Sequence, residues 1–135
     1  MLAFAERLVA YDSVGSTFDK SKANAFTVCE KLRTPLGTLM GGTGFQALLS
    51  RALAIAKKDV AWLGKLEVNR DGFLVGLEEN FLTVNLDEWH EGKVVLVARL
   101  IGLLVAFIGE DLMLNLVLEV WPRMPRRDLN LDNGD

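Results

Sequence analysis

The side chains of this 135-residue chain that could do chemistry are few. His90 is the only histidine, so a histidine metal cluster or a Ser-His-Asp triad has at most one possible member. A general base at this position would have to work with Asp87 or Glu91, and a structural histidine near a helix start is the simpler reading. Cys29 is the only cysteine, which excludes an intramolecular disulfide framework and any multi-cysteine zinc site. Its apolar helical surroundings make it a small buried hydrophobe rather than a nucleophile. The acidic pairs Glu78-Glu79 and Asp87-Glu88 have the chemistry to hold a cation, but near helix starts they answer first to the helix dipole. No catalytic residue, metal or cofactor is expected.

The glycine-rich stretch Gly37 to Gly44 precedes a helix, where free N–H groups attract phosphate. It lacks the GK[ST] ending of a P-loop, and close helix packing explains it as well. Leu32-Arg33-Thr34-Pro35-Leu36 resembles the end of the phospho-acceptor box of sensor histidine kinases. The acceptor histidine is missing, Lys31 intrudes after Glu30, and no ATP-binding domain follows, so no kinase chemistry is implied. Taken whole, the chain resembles small, helical, uncharacterised bacterial proteins, and that resemblance implies no activity.

Composition limits the partners. Net charge is −3, against the basic stripe that nucleic acid needs. Residues 1–58 hold eight basic and four acidic side chains, +4, whereas 59–135 hold seven and fourteen, −7. Opposite halves fit either intramolecular packing or association of copies. The lone cysteine and the absence of a signal-peptide pattern in MLAFAERLVAYD fit a reducing, cytoplasmic setting.

The elements that must position these residues are mainly helical. About five helices are expected around a long central apolar helix, 93–121, with one β-hairpin at about 65–77. Residues 1–125 are expected to form a single helical domain and 126–135 a flexible tail. Apolar residues at 2, 5, 8 and 9 predict a first helix ending near Asp12. A second, capped by Ser16 or Thr17, runs to about Arg33 with Ala25, Phe26, Val28, Cys29 and Leu32 inward, and Pro35 limits it. Phe45, Leu48, Leu49, Ala52, Leu53 and Ala56 form the stripe of a helix over 44–58, with Thr43 and Gln46 in capping-box spacing. Leu66 and Val68, then Phe73, Val75 and Leu77, alternate around Asn69-Arg70-Asp71-Gly72, and the hairpin is expected to turn Leu66, Val68, Phe73 and Val75 inward. Asn85 and Glu88 repeat the cap spacing before the central stretch.

That central stretch is not expected to span a membrane, because its longest charge-free run, Leu100 to Gly109, is half a span. Ala98, Gly102, Ala106 and Gly109 line one face with Arg99 and Glu110 beside them. They suggest an antiparallel two-fold crossing near Leu104 and Val105, with Arg99 meeting Glu110 of another copy. The first function expected is therefore a non-enzymatic interaction or regulatory module that forms a homodimer or binds another protein. The alternative is a small apolar-ligand pocket lined by Phe45, Leu49, Ile101, Leu104 and Phe107. A small enzyme using His90 and nearby carboxylates ranks third.

Overall fold

The computed structural model describes residues 2–14, 27–80 and 83–125. Its architecture is mainly α with one two-stranded hairpin, as the sequence predicts. In chain order come α1 (Leu2–Val14), α2 (Thr27–Ala56), a 3-10 turn (Ala61–Lys65), β1 (Glu67–Val68), β2 (Leu74–Val75), α3 (Leu77–Asn80), α4 (Leu86–Ile108) and α5 (Glu110–Val120). The cap expected at Ser16 or Thr17, with Ala25 and Phe26, and the tail 126–135 lie outside the described residues.

α4 is the centre of the packing and touches α1, α2 and α5. Its start is fixed by Asn85, whose Oδ1 accepts from Glu88 N at 2.8 Å and satisfies one free N–H of the first turn. From there Trp89, Lys93, Leu96, Val97, Leu100, Ile101 and Leu104 are buried at helical spacing. The central helix therefore begins at Leu86, before the expected 93. It also breaks at Gly109, where φ is 88° and ψ 160°, and α5 starts in a new direction. Hydrophobicity alone gave no sign of the break, since apolar residues continue on both sides.

α2 contains its own break at Gly41, with φ 83° and ψ 158°. The glycine-rich stretch Gly37 to Gly44, expected to precede a separate helix, is thus part of α2 with a single-residue kink at Gly41. Gln46 donates to Ser50 Oγ at 3.2 Å and is not engaged with Thr43. Upstream, the helix runs through Pro35 instead of stopping. A proline inside a helix costs roughly 3 kcal/mol, and Leu32 and Leu36, both buried in the core on either side, hold the segment helical. Downstream, Phe45, Leu49, Ala52, Leu53 and Ala56 are buried as the stripe predicts, and the helix ends at Ala56.

The hairpin is antiparallel, pairing Glu67 with Val75 and Val68 with Leu74. Paired residues share a face, so Leu74 joins Leu66 and Val68 against the core, while Phe73 and Val75 are exposed. The inward face expected for the second strand is one residue out. The cause is the turn: Asn69 Oδ1 accepts from Asp71 N and Phe73 N, both at 3.0 Å, and Asn69 N donates to Phe73 O at 2.9 Å. Phe73 is left under the Arg33 guanidinium, whose carbon lies 3.3 Å from the ring centroid. Arg33 Nε is buried without a hydrogen-bond partner, and Glu30 pairs with its NH2 group.

Candidate functional site

The second half of α4 presents an outward face to solvent. Arg99, Gly102, Leu103, Ala106 and Phe107 follow at i, i+3, i+4, i+7 and i+8; Arg99, Ala106 and Phe107 are exposed, whereas Gly102 is half-buried and Leu103 is half-buried against the core. Phe107 is 68% exposed, the highest value among the large apolar side chains described. Nothing lies within 4 Å of the position a Cβ would take on Gly102, so the backbone is bare there, about a turn and a half before Phe107. Of the six residues expected to form a seam, Arg99, Gly102 and Ala106 lie on this face. Glu110 is exposed at the start of α5, and Gly109 is the break itself. Ala98 points inward and is buried. In this chain Arg99 NH2 contacts Asp59 Oδ2 at 2.6 Å, an exposed pair worth little on its own.

Of the five residues expected to line an apolar pocket, four share the core and one does not. Phe45, Leu49, Ile101 and Leu104 are buried in the shared core, whereas Phe107 stands on the surface. An open cleft of about 720 Å³ lies elsewhere, between the first half of α2 and α5, with Pro35, Leu39, Leu116 and Val120 as its apolar wall. Lys31, Thr34, Thr38 and Glu119 complete the lining.

His90 Nε2 lies 2.8 Å from Glu6 Oε1, tying α4 to α1 at the surface. The helix carries Asp87 and Glu91 nearby, but the contact made is with Glu6. Among the described residues no three His, Cys, Asp or Glu side chains gather as a metal site. The side chains of Glu78 and Glu79 lie outside the described residues. Of the Gly37 to Gly44 stretch, only Gly41 leaves helical geometry, so no loop of free amides is formed there.

Cys29 is buried on α2, and burial pushes its thiol up to about 12 from 9.0, with the charge of Glu30 adding to the effect. The thiolate is the reactive form, so folded protein should resist a thiol-exchange reagent at neutral pH and react fully once unfolded in urea. Rapid labelling of folded protein would contradict this. The sign of the pH dependence follows. The unfolded chain releases this proton near 9 and the folded chain only near 12, so stability should fall as pH rises through that window.

One arrangement had no signal in the sequence. Asp12, 9% exposed at the end of α1, accepts from Trp121 Nε1 at 3.0 Å and pairs with Lys31 Nζ at 2.5 Å. Lys93 of α4 is 7% exposed, and burial lowers its pKa while the nearby Asp12 charge holds it up. Residues 12 and 121 are 109 positions apart, beyond the reach of any local pattern. An indole N–H at the end of an apolar run does need an acceptor when buried, which is the one clue available. The node joins α1, α2 and the residue after α5, with α4 beside it, and its hydrogen bonds are internal. It reads as a structural tie.

Comparison with family models, with curated proteins and with solved structures gave no match. No helix among the described residues is long and apolar enough to cross a membrane.

Proposed function

We propose that this chain is a non-enzymatic interaction module that self-associates, pairing two copies across the outward face of α4. The observation that carries the reading is Phe107, 68% exposed on the outward side of α4, the helix on which Gly102 leaves the backbone bare. In an antiparallel two-fold crossing centred between Leu104 and Val105, positions equally far from the centre face one another. Phe107 of one copy then lies level with Gly102 of the other along the seam, and Ala106 level with Leu103. Arg99 keeps its contact with Asp59 at the edge of the seam, because Glu110 follows the break at Gly109 and begins α5.

The gain is modest. Burying two phenylalanine side chains contributes about 3–6 kcal/mol before the entropy lost on association is subtracted. The dimer should therefore be weak and concentration-dependent. The reading also takes the partner to be protein and not nucleic acid, in line with the net charge of −3. A reducing, cytoplasmic setting suits the single buried thiol.

Sedimentation tests it. The wild-type mass should rise with concentration above 14.9 kDa, and Phe107→Glu should remain monomeric. Because Phe107 is exposed, that variant should unfold within about 0.5 kcal/mol of the wild type. A wild type that stays monomeric at high concentration, or a Phe107→Glu variant that still dimerises, overturns the reading.

A further inference from the structure

α4 and α5 are joined by one residue, and we propose that this joint, Gly109, is a hinge through which two copies of the chain exchange α5. Straightened, it turns residues 86–120 into one helix and carries α5 into the place vacated by the α5 of the other copy. The inference rests on the reading that the chain self-associates, but it uses a different contact.

The backbone bonds around the joint define what the bend gives up. Gly109 N donates to Val105 O at 2.9 Å, and Gly109 O accepts from Met113 N at 3.1 Å, as in an uninterrupted helix. A continuous helix would add three more, from the amides of Glu110, Asp111 and Leu112 to the carbonyls of Ala106, Phe107 and Ile108. None of the three is among the bonds that join the two helices. The bend also holds residue 109 at φ 88°, a conformation L side chains rarely adopt, with nothing within 4 Å of a Cβ there. Rotation at this single residue thus gains hydrogen bonds and leaves a disfavoured region.

Two features hold the bend closed. Met113, Leu116 and Val117 bury the inner face of α5, and Glu110 and Asp111 sit favourably at its N-terminus. In an exchanged pair the first is recovered in full, because the groove each α5 enters is identical to the one it left. The Trp121 bond to Asp12 is recovered in the same way, now between copies. A one-residue joint in a non-helical conformation is the kind of short hinge that favours exchange. Gly41 has nearly the same angles, but large parts of the core lie on both sides of it. Beyond Gly109 the structure describes only α5 and residues 121–125, and leaves α1, α2 and α4 packed together.

The test is Gly109→Ala, made in both the wild-type and Phe107→Glu backgrounds. Alanine is strained in the bend and favoured in a straight helix, so the dimer population should rise roughly tenfold or more in both. Mixing isotope-labelled and unlabelled copies through unfolding and refolding should then give NOEs between copies, from Leu39 to Leu116 or Val120, which line one cleft. A monomeric variant overturns the proposal, as does a dimer whose NOEs between these residues all lie within one copy. If that second dimer is lost with Phe107→Glu, the α4 face alone pairs the copies and the earlier reading survives. Gly41→Ala carries the same strain without the hinge and should lose stability while remaining no more dimeric than its parent; equal dimerisation there also overturns the proposal. Should Gly109→Ala fail to fold, the exposed double change E110Q/D111N removes what favours the bend and is judged by the same NOEs.

Discussion

Asp12→Ala should destabilise the protein by roughly 1.5–3 kcal/mol at neutral pH, the usual worth of a hydrogen bond to a charged group, since Asp12 is buried while Lys31 is half exposed. The change takes the acceptor from Trp121 Nε1 and the counter-charge from Lys31. It also removes the negative charge that holds up the pKa of Lys93, a cation already disfavoured by burial. The melting midpoint should drop by roughly 5–10 °C for a domain of this size. Lys93→Met should behave oppositely and be neutral or stabilising, since Asp12 keeps both Lys31 and Trp121 while the desolvated cation is gone. Urea unfolding of the two variants decides it: a loss below about 1 kcal/mol for Asp12→Ala would mean that the node contributes little. The folded pKa of Lys93 is lowered, so the unfolded chain keeps its proton to higher pH. This group therefore adds stability as pH climbs through the window below 10.5, and Lys93→Met should abolish that contribution.

Gly92→Val is the second large effect, with an expected loss of about 3 kcal/mol, the upper range for over-packing a filled site. A Cβ on Gly92 would stand 2.7 Å from Cζ2 of Trp62. That ring cannot give way easily. It stacks on Trp89 with centroids 4.7 Å apart and planes 9° apart, and its Nε1 donates to Glu88 O at 2.9 Å. Gly92→Ala should lose less, because alanine regains about 1 kcal/mol of helix propensity. Tryptophan fluorescence and urea midpoints should move together as the stack is forced apart. A valine variant with unchanged emission and midpoint would show that the 3-10 turn simply slides.

Glycine explains much of what could and could not be read in the sequence. At Gly92 it allows an indole to lie on the helix, at Gly102 it remains helical, and at Gly109 it breaks the helix. The residue type is the same in all three, and only the packing partners distinguish them. By contrast, the Phe45 to Ala56 stripe, the Asn85 cap and the hairpin were legible because spacing and local hydrogen bonding determine them. The inward face of the second strand was not, since the Asn69 turn sets it and a shift of one residue exchanges Phe73 for Leu74. Of the expected seam, Arg99, Gly102 and Ala106 lie on one outward face, whereas Ala98 was misplaced because small residues occur equally well on inward faces. The Asp12 node depends on contacts across most of the chain, and no periodicity encodes those.

That long-range closure has a consequence for synthesis. A ribosome makes the chain from its N-terminus, so the Asp12 carboxylate emerges long before the Trp121 indole that will satisfy it. α1 and α2 can form early, but their shared polar tie stays open until residue 121 has left the exit tunnel. Completion of the core is thus deferred until Trp121 has emerged, and nascent chains stalled before it should remain sensitive to protease at α1.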